Sequence, residues 1–320
     1  MIRTAECITP HHPDKICDRI SDAILDECLF QDPDSRVAVE TMGGHRKIVV
    51  MGEITTNAEV DFERVVRSVY SDVDEVDVHI ARQSNLISQG VDTGGAGDQG
   101  IMVGYACDEN YARIPHELYL ARQLCQRIHK EFPFDGKTQV TLDDGKITAI
   151  VASFQNAPAS ALRQIIGEWL DSWTQTAVTA NIDIHANPAG DWEVGGFDAD
   201  TGLTGRKLVV DNYGPRVPIG GGAFSGKDPS KVDRSAAYMA RRIAVDYLRL
   251  HHASEVYVYL AYAIGHPTPV QATAIVDGVS HEVTEYDLTP KGIADLLELK
   301  QPHYRQTAEW GHFGNGFAWG

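Results

Sequence analysis

The fold class is decided by three consecutive runs: PDKICDRISDAILDECLF (Pro13–Phe30), RVAVETM (Arg36–Met42) and KIVVMGEIT (Lys47–Thr55). Ile16, Ile20 and Ile24 recur at helical spacing in the first run, and the other two runs are rich in Val and Ile, as strands are. A hairpin turn is predicted at Gly43-Gly44, and a second helix pattern begins near Asp61. The predicted order is therefore helix, strand, strand, helix.

The same order of elements recurs twice along the chain. The second copy comprises Pro115–Phe132 (helix), Lys137–Leu142 and Lys146–Phe154 (strands around the turn Asp143-Asp144-Gly145) and Ala159–Thr176 (helix). The third comprises Arg234–Leu250 (helix), Glu255–Ile264 and Val270–Val276 (strands) and Pro290–Leu299 (helix). Short strands are also predicted at Trp192–Gly195 and Leu208–Asp211. We expect three similar α+β units, each with helices covering one face of a sheet.

Charge and cysteine content limit the possible partners and surroundings. The 320 residues include 45 acidic and 28 basic side chains, a formal charge of −17 that repels nucleic acid and anionic membranes. The five cysteines are odd in number and widely spaced, so neither a disulfide framework nor a zinc site is predicted. Since the N-terminal residues lack an apolar signal region and no run is apolar enough to span a membrane, we expect a cytoplasmic protein.

A glycine-rich loop at Ile219–Arg234, IGGGAFSGKDPSKVDR, is the strongest local signal. Its glycines allow backbone N–H groups to approach phosphate, and the helix that follows contributes a favourable dipole. Lys227, Lys231 and the carboxylates Asp228 and Asp233 add charged ligands. The loop is interpreted as a phosphate cradle.

Two other interpretations of this loop remain open. The letters nearly match the G-x-x-x-x-G-K-[ST] phosphate loop, but Asp228 stands where a hydroxyl residue would bind Mg²⁺. A mobile glycine loop with solvated lysines is the other alternative. HPDK (His12–Lys15) could by itself be a helix cap, and the glycine clusters Gly94–Gly100 and Gly202–Lys207 could be simple turns.

Eight segments, taken in order, resemble the methionine adenosyltransferases (S-adenosylmethionine synthetases) from one end of the chain to the other. They are HPDK (His12–Lys15), GEITT (Gly52–Thr56), QGVD (Gln89–Asp92), GAGDQG (Gly95–Gly100), DGKTQVT (Asp135–Thr141), GLTGRK (Gly202–Lys207), GGGAFSGKDPSKVDRSAAY (Gly220–Tyr238) and GHFG (Gly311–Gly314). The resemblance implies three α+β domains related by pseudo-threefold symmetry, with expected ranges 1–92, 93–195 and 196–320.

The resemblance also implies the reaction. The sulfur of L-methionine attacks C5′ of ATP, and the triphosphate that leaves is hydrolysed to phosphate and pyrophosphate. Because the sulfur lone pair is already nucleophilic, no general base is required. Preorganised cations and hydrogen-bond donors around the leaving group are then the main catalytic requirement.

Site residues follow from the same motifs. The catalytic residues implied are His12, which hydrogen-bonds the departing oxygen, Lys137, Arg206 and Lys227. The ATP site implied comprises His12, Lys15, Asp135, Lys137, Asp191, Trp192, Asp200, Arg206, Lys207, Ala223 and Lys227. The methionine site implied comprises Glu53, Gln89, Asp98, Asp200 and Lys231. The metal ligands implied are Asp14 and Asp233 for two Mg²⁺ ions and Glu40 for K⁺.

The resemblance implies a homodimer with shared active sites, with a homotetramer as an alternative. The chain departs from the family at three places. Pro10-His11 replaces Glu-Gly, Trp192 replaces a Phe that stacks on adenine, and only Thr93-Gly94 separate QGVD from GAGDQG, so a more open site is expected. A core tryptophan is the alternative at Trp192. The competing functions are a phosphotransferase and a catalytically silent regulatory paralogue.

Overall fold

The computed structural model describes residues 1–82, 94–173 and 178–320. Its strands are β1 (Ile2–Ile8), β2 (Arg36–Gly44), β3 (Lys47–Thr55), β4 (Glu75–Ala81), β5 (Gly100–Cys107), β6 (Gly136–Asp143), β7 (Lys146–Phe154), β8 (Val178–Ala186), β9 (Gly202–Leu203), β10 (Glu255–Tyr262), β11 (Gln271–Val276) and β12 (Val279–Glu282). Its α-helices are α1 (Pro13–Gln31), α2 (Phe62–Val69), α3 (His116–His129), α4 (Ala159–Ser172), α5 (Leu208–Asp211), α6 (Val232–His251), α7 (Pro290–Leu296) and α8 (Tyr304–Thr307).

These strands form three four-stranded sheets, with the orders β4-β3-β2-β9, β1-β6-β7-β8 and β12-β11-β10-β5. At the centre of each sheet lies one of the three predicted antiparallel pairs, β2–β3, β6–β7 or β10–β11. In each unit the long predicted helix packs on strands of its sheet: α1 on β2, α3 on β6 and α6 on β10. The α+β class and the threefold repetition of the pattern are thus confirmed.

Each sheet also contains a strand from a distant part of the chain. β1 pairs with β6 in the register Ile2↔Asp143 to Ile8↔Lys137, and β5 pairs with β10. The short β9 pairs with β2 through Met42↔Leu203. The three sheets therefore do not follow contiguous ranges of sequence, and the expected division at residues 92 and 195 stays a prediction. One consequence matters for the site, because β9 brings the segment Gly202–Lys207 against the first sheet.

Helix–sheet packing buries the core. Ile20 and Ile24 of α1 are fully buried, and such side chains each contribute roughly 1.5–3 kcal/mol. α6 approaches β5 so closely that a Cβ at Gly104 would overlap the backbone of Ala240. Within the described ranges, no helix is both long and apolar enough to cross a membrane.

The predicted position of the first hairpin turn is wrong for a reason of tertiary packing. The β2–β3 turn lies at His45-Arg46, both with positive φ (49° and 64°), and not at Gly43-Gly44, which belong to β2. Gly43 is needed there because a Cβ would overlap the ring of Phe197.

Other element predictions were wrong in type or extent. Leu208–Asp211 is a short helix rather than a strand, and Trp192–Gly195 has no regular structure. The helix predicted to end at Thr176 ends at Ser172, and Thr176 lies outside the described residues. The sequence pattern missed β1, β4, β5, β8, β9 and β12, which flank the hairpins.

Candidate active site

The first helix begins at the HPDK segment with a charged N-terminus. His12 is the N-cap of α1, and its Nδ1 accepts the N–H of Asp14 at 3.2 Å. Asp14 is 1% exposed and accepts two hydrogen bonds, from the Lys207 ammonium at 2.5 Å and from the Leu203 N–H at 3.0 Å, and it forms an ion pair with Arg206 Nε at 3.4 Å. One carboxylate therefore ties α1 to the GLTGRK segment.

Close backbone packing fixes the same segment between α1 and the glycine–lysine loop. A Cβ at Gly202 would overlap the carbonyl of Pro13, and a Cβ at Gly205, where φ is +78°, would collide with Ala223. The Gly205 N–H also donates to the Asp18 carboxylate at 2.8 Å. The segments that carry Arg206, Lys207 and Ala223 thus meet in space, as the resemblance implied.

The glycine–lysine loop carries its own ion pairs. Lys227 Nζ lies 2.5 Å from Asp233 Oδ2, and the Gly222 N–H donates to the other Asp233 oxygen at 3.3 Å. Lys231 pairs with Asp228, whose carboxylate accepts the Val37 N–H of β2 at 2.7 Å. The loop is therefore attached to the first sheet rather than mobile.

A buried pair supports this loop from below. Arg234 donates to Asp22 at 2.7 Å with both side chains fully buried, and the Gly226 N–H donates to the same carboxylate at 2.8 Å. The Arg234 guanidinium also donates to the Lys227 carbonyl at 2.9 Å and lies 4.4 Å above the ring of Tyr304. These contacts fix the backbone from which Lys227 extends.

The pKa of His12 depends on the charged side chains near the start of α1. Burial and the nearby Lys207 and Lys137 lower its pKa to about 4, while Asp14 and Asp200 act in the opposite direction. His12 is therefore neutral at pH 7. Its dependence on these four charges indicates that Lys137 and Asp200, distant in sequence, lie near the start of α1.

For the Asp14 carboxylate, hydrogen bonds outweigh the effect of burial on the pKa. Burial would raise its pKa, but hydrogen bonds from Lys207 and the Leu203 N–H keep the pKa below its usual value. Burial raises the pKa of Asp135 despite the Gly196 N–H, which donates to its carboxylate at 3.0 Å. Asp14 is thus anionic and already paired in this structure.

The Lys15 side chain is buried, whereas those of Lys207 and Lys227 are partly exposed. It is fully buried, with its ammonium 3.0 Å from Asp18 and 2.5 Å from Asp211, and these carboxylates raise its pKa although burial lowers it. Both partners of Lys15 lie inside the protein, and its contact with ATP stays a prediction. HPDK therefore contributes a buried cation, Lys15, and a buried carboxylate, Asp14, whose partner Lys207 is partly exposed.

Two predicted residues form a separate local structure. Asp191 accepts the Ala159 N–H at 2.9 Å at the beginning of α4, and also the Asn187 amide at 3.0 Å. Trp192 is half-buried and lies in irregular structure, so the alternative of a strand-borne core tryptophan is wrong.

Glu40 and Glu53 lie on one exposed face of the first sheet. Glu53 is opposite Ala38 in the β2–β3 ladder, and Ala38 in turn bridges to Lys227. Glu40 lies two residues further along β2 and so shares the face of Ala38. Asp98 is exposed and accepts the Gln99 N–H at 2.7 Å, whereas Gln89 lies outside the described residues.

Two buried carboxylates of α1, Asp18 and Asp22, support the site and were missed by the motif analysis. Asp14, Asp18 and Asp22 recur every four residues on one face of the helix, and all are buried. A charged residue facing a core requires a partner, so this spacing could have predicted Lys207, Lys15 and Arg234 as a set of inward-facing cations.

Metal ligation can be judged from the donor chemistry. In the described ranges, no group of three or more metal-type side chains converges on one point. Asp14 and Asp233 supply hard carboxylate oxygens, and Mg²⁺ is usually held by one or two carboxylates plus substrate phosphates. The two residues therefore fit Mg²⁺ as partial ligand sets.

Comparisons with known proteins place these observations in a family. The family profiles define the class of the protein, a transferase. Profiles of the S-adenosylmethionine synthetase N-terminal, central and C-terminal domains match residues 1–89, 93–192 and 194–320. A relative from Brachyspira hyodysenteriae (strain ATCC 49526 / WA1), named S-adenosylmethionine synthase, is 41% identical over 364 aligned residues, covering 97% of this chain and 92% of its own.

The chain belongs to the S-adenosylmethionine synthetase family. The resemblance drawn from HPDK, GLTGRK and the glycine–lysine loop is confirmed, as is the fold class.

Proposed function

We propose that the Asp14–Lys207 and Asp233–Lys227 pairs are two parts of one triphosphate site in an S-adenosylmethionine synthase. The reaction follows from family membership: methionine sulfur bonds to C5′ of ATP, the C5′–O bond breaks, and triphosphate leaves for hydrolysis to phosphate and pyrophosphate. The contact of Gly205 with Ala223 carries the proposal, because it joins the segments that bear these pairs.

His12 acts as a neutral hydrogen-bond donor to the departing oxygen. Its Nδ1 already accepts the Asp14 N–H, so in the neutral ring the proton resides on Nε2. An Nε2–H donor can stabilise negative charge that develops as the C5′–O bond breaks. No proton has to be removed from methionine.

Cations from three segments neutralise the triphosphate. Lys137 lies on β6, Arg206 and Lys207 on the GLTGRK segment and Lys227 on the glycine–lysine loop, and the last three are now paired with carboxylates. When ATP binds, the ammonium groups exchange these carboxylates for phosphate oxygens. Adenosine contacts are assigned by motif to Asp135, Asp191, Trp192, Asp200 and Ala223, with Trp192 stacking on adenine.

Asp14 and Asp233 would hold two Mg²⁺ ions, and Glu40 a K⁺ ion. When bound, Mg²⁺ neutralises phosphate charge and orients the oxygens of the leaving group. The role of the protein is to supply one anionic carboxylate to each Mg²⁺ at a fixed position. Metal dependence is a property of the family, and the choice of these ions is our proposal.

Methionine binds beside the first sheet. Glu53, Gln89, Asp98, Asp200 and Lys231 are assigned to it, and the register Glu53–Ala38–Lys227 supports the proximity of Glu53 to the phosphate loop. Carboxylates also favour the positively charged sulfonium product. Lys15 is also assigned by motif to the ATP site, where its ammonium is now paired with Asp211.

A homodimer that shares active sites is proposed from the exposed face of the first sheet. Met42 and Met51 are 53% and 55% exposed beside Glu40 and Glu53. Large apolar side chains on a flat sheet face are typical of an interface with a second copy. We further propose that residues 1–92, 93–195 and 196–320 form three domains and that the enzyme works in the cytoplasm.

Incubation with ATP, L-methionine, Mg²⁺ and K⁺ tests the function. We expect S-adenosylmethionine by mass spectrometry, with phosphate and pyrophosphate in equal amounts. ADP or AMP without S-adenosylmethionine would instead indicate a phosphotransferase, and the absence of turnover would favour a regulatory paralogue.

A further inference from the structure

A second cleft, apart from the proposed active site, lies between α3, α6 and the segment Gly314–Gly320. Its volume is about 600 Å³, and its lining includes Arg113, Arg122, Arg241 and Arg249. Among the described residues that line it, none has a carboxylate side chain. Four guanidinium groups therefore share one cleft in a protein whose formal charge is −17.

Arg241 is held at the base of this cleft by main-chain oxygens. It is 1% exposed and donates to the carbonyls of Tyr105 at 2.6 Å, Arg113 at 2.8 Å and Ala112 at 2.9 Å. Its Nε donates to the Gly320 main-chain oxygen at 3.2 Å. These oxygens orient the guanidinium, and among the described residues no side-chain carboxylate forms an ion pair with it.

Arg122 provides donors that the protein does not use. It is 2% exposed, and its Nη1 donates to the Phe313 carbonyl at 2.7 Å and to Asn315 Oδ1 at 3.2 Å. Its Nε and Nη2, and Nη1 of Arg113, are buried without a hydrogen-bond partner. Leaving such charged donors unpaired is unfavourable, so negative charge placed in the cleft would stabilise the cluster electrostatically.

The pKa values reflect this lack of counter-charge. Burial lowers the pKa of Arg241 to about 10, and burial is also the main cause of the lowered pKa of Arg122 and Arg113.

Nearby carboxylates are already engaged elsewhere. Asp246, which acts on Arg113, is paired with Arg242 at 2.7 Å, and Asp211, which acts on Arg122, holds Lys15.

We propose that this cleft is a second anion site, which binds a phosphate-type oxyanion outside the active site. Guanidinium groups match phosphate oxygens through paired N–H donors, and a dianion would compensate the clustered positive charge. Phosphate and pyrophosphate are produced by the reaction proposed above, but the site itself is argued from the arginines alone. The inference is therefore independent of that function.

Pyrophosphate titration of the full-length protein by isothermal calorimetry tests the site. The background is Lys207→Ala/Lys227→Ala, which weakens binding at the proposed active site. In this background we expect one binding event per chain, weakened at least tenfold by Arg113→Gln/Arg249→Gln. Arg249 is exposed, so Arg249→Gln alone keeps the test valid if the double change impairs folding.

The matched control is Arg64→Gln, an exposed arginine of α2 that pairs with Glu27 and lies outside the cleft lining, and it should leave the binding event unchanged. Separate titrations with inorganic phosphate and with AMP distinguish a free oxyanion from a phosphorylated nucleoside. Loss of all binding in the Lys207→Ala/Lys227→Ala background would overturn the proposal. So would equal affinity in Arg249→Gln and its parent.

Discussion

Asp233 and Arg234 are neighbours in sequence, yet their ion pairs differ in accessibility. Asp233 faces Lys227 at 2.5 Å, with side chains 14% and 25% exposed, whereas Arg234 faces Asp22 at 2.7 Å with both side chains fully buried. Both pairs form where α6 begins, and their separations are nearly equal. The difference teaches that exposure, rather than the presence of a pair, separates a group available to a ligand from a structural one.

This difference has a physical cause. A buried pair cannot exchange its partner without leaving a desolvated charge, which costs several kcal/mol. A half-exposed pair can exchange its partner, because water solvates the carboxylate or ammonium during the change. Four predictions test the contrast.

The largest effect is expected for Arg234→Ala. Removing the guanidinium leaves Asp22 buried and unpaired, so we expect a loss of about 3–5 kcal/mol in the free energy of unfolding, measured by urea denaturation. Arg242→Ala, on the same helix with a half-exposed partner in Asp246, should cost less than about 1 kcal/mol. Equal costs for the two variants would contradict the contrast.

Lys227→Ala should affect catalysis instead of folding. Loss of one preorganised phosphate contact is expected to lower kcat about 10²-fold, equivalent to about 2.7 kcal/mol. Its free energy of unfolding should change by less than about 1 kcal/mol. Lys291→Ala, which removes an exposed lysine paired with Asp295, serves as the control and should retain full turnover. If Lys227→Ala turned over at the wild-type rate, Lys227 would not contact the leaving group.

Asp233→Asn separates metal binding from loop structure. The amide keeps the shape of the side chain but removes the negative charge, so the Mg²⁺ concentration for half-maximal rate should rise about tenfold, or 1.4 kcal/mol. Asp295→Asn is the matched control at an exposed ion pair. An unchanged Mg²⁺ dependence would assign the metal to other ligands. Chelation with EDTA should abolish turnover in the unmodified enzyme.

The smallest effect is expected for His129, a histidine near α1 whose pKa is not raised by any neighbouring carboxylate. His129 lies 3.0 Å from His11, and burial, His11 and Arg19 lower its pKa to about 4. Between pH 6.5 and 4 the unfolded chain binds a proton that the folded chain does not, so stability is present above pH 6.5 and falls as pH decreases.

We expect a loss of about 1 kcal/mol between pH 7 and 5, after allowance for partial exposure. His129→Gln should reduce this slope in urea titrations at both pH values. Equal slopes for His129→Gln and wild type would assign the pH dependence to other groups.

Motifs identified the family and predicted a site because they consist of consecutive residues. The glycine–lysine loop is predicted to bind an anion near a helix start, and its contact with the GLTGRK segment agrees with that interpretation. HPDK did not reveal that Asp18 and Asp211 surround the Lys15 ammonium, because these partners are brought to it by the fold. The arginine cleft was missed for a similar reason: Arg113, Arg122 and Arg241 come from different elements and carry no motif.

The sequence by itself determined the long helices, the central hairpins and the family, since periodicity, turn chemistry and motifs act over short distances. Tertiary structure alone decided that β1 joins β6, that Gly43 faces Phe197 instead of forming a turn, and which cations remain accessible. These outcomes depend on contacts between residues far apart in the chain. Burial then decides whether a charged side chain stays in its ion pair or can bind a ligand.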